Sequence, residues 1–234
     1  PLIEVPDLIT DDMNVRNWVK PVEGEPLTFK TNSIGQPGNK QVTLIPFYKL
    51  HHQRYTLYWN IMSHSKYQSF LTEKKEKIDI LNRITIDAVK PNEQQPEVEH
   101  SIKKQNSRSG YVNLYNCGWR ESVNKGFFSY EMKVSTDTQM YLFVTYNGDD
   151  TDRHMDGKMY VREFDIFIDG TAIAHQVLKK NKPGELFSVC YEIPMSLTNG
   201  KEKVEVKFAS EENKIAGGVY EIRIVNTNTI FQEN

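Results

Sequence analysis

From Phe128 onward the chain alternates apolar and polar residues in short runs, and this two-residue period is what most restricts its fold. Phe128, Tyr130, Met132 and Val134 alternate with Ser129, Glu131 and Lys133, and Leu142, Val144 and Tyr146 follow. Next come Phe164, Ile166 and Ile168, an Asp169-Gly170 pair, and Ile173 to Leu178. Runs at Leu186 to Ile193, Val204 to Phe208 and Val219 to Val225 complete the series. Successive side chains of a strand point to opposite faces, so each run offers one face to a core. Asp-Gly between two such runs marks a tight hairpin. With a further strand expected near Val98, the spacing predicts about eight short strands, uninterrupted by helix, in an all-β sandwich of jelly-roll type. The 12 Tyr and 11 Phe, set among β-branched residues, fit that class.

The first third reads differently. Residues 1–40 hold Pro1, Pro6, Pro21, Pro26 and Pro37 with three glycines, and only Leu27 to Thr31 resembles a strand. Val42, Leu44, Pro46 and Tyr48 then alternate with polar and apolar neighbours. After Lys49 to Gln53, so do Tyr55, Leu57, Trp59 and Ile61. An isolated hairpin is marginal in water, so these strands need others to lean on. From Ser65 to Arg83 the period becomes helical, with Tyr67, Phe70, Leu71, Ile78 and Leu81 on one stripe. The mixed charges Glu73 to Lys77 lie opposite and read as a solvated face. The expected organisation is residues 1–63 as the closing strands of another sandwich, 64–84 as a connecting helix, and 85–234 as the jelly-roll module. Beginning at Pro1 rather than Met, the chain reads as a piece of something longer.

A net charge of −2 over 234 residues argues against a nucleic-acid partner. No stretch reaches the roughly 18 apolar residues of a helical membrane span. The nucleophile elbow, phosphate-binding glycine loop, H-E-x-x-H helix and C-x-x-C pair are all missing from the sequence. His51 and His52 are adjacent on an expected turn, so they point apart and read as loop residues rather than metal ligands. The acidic loop from Asp149 gives D-x-H-x-D-G-x₅-E when read from Asp152. This is one step from a calcium loop, with Asp152, Asp156 and Glu163 as the oxygen ligands and His154 where a hard ligand belongs. The alternative is a solvated turn between strands. A sugar requires an aromatic face and planar polar groups, which Tyr111, Tyr115, Asn116, Trp119 and Arg120 supply in a loop-like stretch marked by Gly110 and Gly118. Against this, Trp119 closes a sandwich edge and Arg120 pairs with a carboxylate such as Glu121 or Glu131. A hydrolase built on Asp165 and Glu131 is a third reading, and it requires both carboxylates to face one cleft.

Two sets of motifs carry a resemblance. Leu27 to Thr31, Gly35-Gln36-Pro37, Leu44 to Tyr48 and His51 to Trp59 resemble the stretch closing the β-sandwich of beta-L-arabinofuranosidase-like glycosidases. Asp87 to Val89, Glu97 to His100, Trp119-Arg120, Gly126 to Tyr130, Asn181 to Gly184 and Ala216 to Tyr220 resemble the extra C-terminal module of such enzymes, which is similar to galactose-binding-type jelly rolls. The resemblance implies a bacterial, periplasmic or extracellular parent whose zinc-held cysteine nucleophile sits on an upstream helical barrel. No catalytic residue carries over to this chain, because Cys117 and Cys190 do not match the clustered thiolates. The implied role is non-catalytic, chiefly bracing that barrel. The alternative is a module that binds arabinose-containing plant glycans.

Overall fold

The computed structural model describes residues 7–31, 41–50 and 60–228, which form two units, residues 1–78 and 79–234. In the first unit, β1 (Asp7–Ile9) runs parallel to β5 (Asn60–Met62). Separately, β2 (Val19–Pro21), β3 (Phe29–Thr31) and β4 (Thr43–Leu44) form a small antiparallel sheet. The strand expected over residues 42–48 ends after Leu44, where Pro46 caps a 3₁₀ turn at Phe47–Lys49. His51, His52 and the run from Tyr55 to Trp59 lie outside the described residues. Helix α1 (His64–Ile84) follows as the period predicts, and none of its residues is buried. Among the described residues, no helix is long and apolar enough to cross a membrane.

The second unit holds β6 (Thr85–Val89), α2 (Gln94–Glu99), β7 (Lys103–Val112), β8 (Cys117–Lys133), β9 (Met140–Asn147), β10 (Arg153–Met155) and β11 (Lys158–Tyr160). It continues with β12 (Glu163–Ile168), β13 (Thr171–Val177), β14 (Leu186–Ile193), α3 (Met195–Thr198), β15 (Lys203–Ala209) and β16 (Ile215–Val225). The hydrogen-bonded path runs β13-β12-β15-β8-β16-β9-β14, with β6 beside β16 and β7 beside β8, and all these pairings are antiparallel. Two long strands bend the path into a two-layered jelly-roll sandwich. Residues Phe127–Lys133 of β8 pair with β15, whereas Arg120–Val123 pair with β16. Strand β16 in turn passes from β8 to β9 and β6.

The alternation seen in the sequence is the core. Phe128, Tyr130, Met132, Leu142, Val144, Ile166, Ile168, Phe208, Ile222 and Ile224 are fully buried, and Phe128 stacks on Phe208 at 5.0 Å. Asp169 and Gly170 both adopt positive φ in the β12–β13 turn, as a two-residue hairpin requires. Two expectations are corrected. The strand placed near Val98 is the short helix α2, which turns Glu97 inward and leaves Val98 67% exposed. Helices α2 and α3 also interrupt the series of strands. The mostly polar run Lys103–Val112, without alternation, is nonetheless a strand: among the described residues β7 pairs with β8 alone, as an edge strand.

Candidate functional site

Strands β7 and β8 form a long hairpin whose register decides which of the predicted residues meet. Tyr111 pairs with Gly118 and Gly110 with Trp119, so Tyr111 and Trp119 emerge on opposite faces of the ribbon. At the turn, Asn116 takes a left-handed φ of 50°, which asparagine tolerates, and its Oδ1 accepts a 2.6 Å hydrogen bond from the Tyr111 hydroxyl. The Tyr111 ring is 54% exposed, so the amide holds a flat aromatic surface open to water. Tyr115, in the same turn, is half-buried. Its hydroxyl has no hydrogen-bond partner among the described residues, and burial, then Asp149, pushes its pKa up.

On the other face the Trp119 indole lies across Gly110. A Cβ there would sit 2.7 Å from Trp119 Cζ2, so the missing side chain is what admits the ring. Arg120 leaves the candidate patch altogether. It is 3% exposed, and its Nε and Nη2 each donate to Glu97 on α2 at 2.7 Å, a two-pronged ion pair. Tyr130 Oη and the Asn92 backbone N–H also donate to Glu97 Oε1. Burial pushes Glu97 up, but these donors outweigh it and hold the carboxyl below its ordinary value. The partner of Arg120 is therefore Glu97, and neither Glu121 nor Glu131.

Glu121 points the opposite way and is 1% exposed. Its Oε1 accepts from Arg108 Nε at 2.6 Å and Arg153 Nη1 at 2.9 Å, and its Oε2 from Arg162 Nη1 at 2.8 Å. Burial raises its pKa, while Arg162, Arg153 and Arg108 lower it further than burial lifts it. Arg162 also donates to the Gly217 carbonyl at 2.6 Å and lies 3.8 Å from Asp150 Oδ2. Asp150 keeps a raised pKa, with burial as the main cause. This cluster is not legible from spacing, because its arginines lie 13, 32 and 41 positions from Glu121.

The three acids of the calcium-loop spacing are not brought together in this structure. Asp152 Oδ1 accepts the Arg162 backbone N–H, Asp156 occupies the positive-φ turn of the β10–β11 hairpin, and Glu163 is bound by Lys214 at 2.8 Å. Among the described residues, no three His, Cys, Asp or Glu side chains gather to hold a metal. The spacing of a calcium loop has folded as a hairpin, with the acids turned to different partners. Asp165 and Glu131 are not brought together either. They lie on β12 and β8 with β15 between, opposite Ala209 and Glu205 respectively, four residues apart along that strand. Asp165 is engaged by His175 at 2.7 Å. Cys117 and Cys190 are free thiols.

Residues 80–225 match the model of a family of unknown function, DUF6805. The chain belongs to that family. Residues 1–61, ahead of the DUF6805 domain, match a second model, the domain of unknown function DUF4986. No curated protein matches the chain. Among solved structures, the chain is similar to a family 35 carbohydrate-binding module from an environmental isolate, at 10% identity and TM-score 0.40 over 59% of this chain and 91% of that one. A family 35 module from Clostridium thermocellum gives 12% identity and TM-score 0.38 over 54% and 92%. A CBM36 module solved with calcium and xylotriose gives 14% and 0.36 over 59% and 99%.

Proposed function

We propose that the DUF6805 sandwich is a non-catalytic carbohydrate-binding module that takes arabinose-containing plant glycans, carried by a glycosidase of the beta-L-arabinofuranosidase type. The observation that carries this reading is the Tyr111–Asn116 pair. An exposed ring, fixed by a planar amide at the tip of a rigid hairpin, offers a sugar a stacking face and hydrogen-bonding groups at little ordering cost. Trp119 lies on the reverse of the ribbon and supports the hairpin over Gly110. Titration calorimetry with arabinan oligosaccharides tests the reading. Heat from the native chain that is lost in Tyr111→Ala supports it, and no heat from the native chain ends it.

Bracing of an upstream catalytic barrel is the second reading, and α1 favours it. Phe70 is 48% exposed and Ile78 49%, so part of the helix's apolar stripe is left uncovered among the described residues. This reading expects no heat with any sugar. It also expects the chain to bind the parent's catalytic portion in a pull-down that Phe70→Glu abolishes.

A further inference from the structure

A second polar groove lies where β8 bends between the two layers. Gln105 pairs with Phe127 and Ser107 with Ser122, so Val123 to Gly126 loop out opposite Asn106 alone. Bulges of this kind re-aim side chains, and here Asn106, Asn124 and Lys125 all adopt positive φ. The resulting groove, about 460 Å³, is lined by Asn106, Ser107, Arg108, Val123, Asn124 and Tyr160. Tyr160 comes from β11 and stands opposite Arg153 in the β10–β11 hairpin.

Every lining residue but Val123 has a polar group suited to a hydroxyl-rich ligand, and Arg108 is the only charged one. Arg108 turns both Nε and Nη2 to the same Glu121 oxygen, and Nη2 also reaches Met155 Sδ, which leaves Nη1 without an acceptor among the described residues. Arg153 shares the same Glu121 oxygen, and both arginines remain exposed, at 45% and 40%. Arg108, Arg153 and Arg162 surround Glu121, with Asp150 and Asp152 beside Arg162. Asn106 Nδ2 donates to the Asn124 carbonyl and Asn124 Oδ1 accepts from the Asn213 N–H. That leaves Asn106 Oδ1 as an acceptor and Asn124 Nδ2 as a donor for sugar hydroxyls.

We propose that this groove is a binding site for an anionic sugar, with Arg108 taking its carboxylate or sulfate, Asn106 and Asn124 its hydroxyls, and Tyr160 its ring. It is separate from the Tyr111–Asn116 platform, about 10–17 Å away along β7, and does not depend on it. A guanidinium nitrogen without an acceptor donates a charge-assisted hydrogen bond to an oxyanion, and aromatic and amide groups handle the remainder of a pyranose.

The test is calorimetry on the full chain with oligogalacturonate, with a sulfated galactan oligosaccharide and with neutral arabinan oligosaccharide, at low and high salt. The expected result is binding of at least one anionic probe that weakens as salt rises. Arg108→Gln and Tyr160→Ala, each shown folded by its melting curve, should each raise the Kd at least about tenfold, the factor that one charge-assisted contact supplies. Preference for uronate or sulfate names the source of the charge. Anionic binding without arabinan binding supports the groove and removes the Tyr111 platform; arabinan binding alone removes the groove. Binding of an anionic probe that persists unchanged in both folded variants also overturns the assignment.

Discussion

Replacing Arg120 with Met is the sharpest perturbation, because it separates a structural guanidinium from a ligand-binding one. Arg120 and Glu97 are both buried and joined by two 2.7 Å hydrogen bonds. Removing one member of such a pair strands the other charge in a dry environment and costs about 3–5 kcal/mol. For a unit of this size, that corresponds to a fall in Tm of about 6–20 °C. The double variant Glu97→Met with Arg120→Met strands no charge, so it should recover much of the loss. Recovery stops short of complete because the Tyr130 hydroxyl and Asn92 N–H lose their acceptor. Urea unfolding followed by circular dichroism measures both. A single variant within about 1 kcal/mol of the native chain, or a double variant no more stable than the single one, would refute the structural role.

Other expectations follow from the same geometry. Glu97 and Glu121 have pKa values held below the ordinary carboxylate range, so their stabilisation is complete above the unfolded pKa near 4.3 and disappears as pH falls through the lower folded values. Unfolding midpoints should therefore hold steady down to about pH 4 and drop steeply below it. Asp150 is raised, the opposite sign: its contribution is full below the unfolded pKa and lost as pH rises through the folded one. Asp150→Asn should thus stabilise the chain at pH 7, with the gain shrinking toward pH 3 in the same unfolding series. Gly148→Ala places a Cβ 1.6 Å from the Lys182 carbonyl oxygen, and the backbone must move. A loss of about 1–3 kcal/mol is expected in denaturant unfolding. Burial lifts the Cys190 thiol to about 11, so it should react slowly with a disulfide reagent at pH 8 and quickly once the chain is unfolded.

The strands with clear alternation were legible because their periodicity is also their burial pattern. Leu186–Ile193 is a strand from end to end as read, and Phe164 to Ile168 alternates half-buried and buried as its residues do. β7 was not legible, since a strand paired on one edge can be polar throughout. Val98 misled for the converse reason: an apolar residue on a short helix faces water while its acidic neighbour Glu97 faces in. For the site, residue types were readable but faces were not. Tyr111, Trp119 and Arg120 lie within ten positions, yet the hairpin register sends the first two to opposite sides and buries the third. The arginines around Glu121 come together only through tertiary contacts, and a charge on a strand is ordinarily expected to point outward.

Saturation-transfer NMR on the full chain mixed with arabinan oligosaccharides tests the carbohydrate-binding reading most directly, since it detects even weak sugar contact. The account predicts transfer to the sugar ring protons, strongest on the face against an aromatic ring and absent for the Tyr111→Ala chain. Equal transfer with that chain, or none with the native one at millimolar sugar, would contradict it.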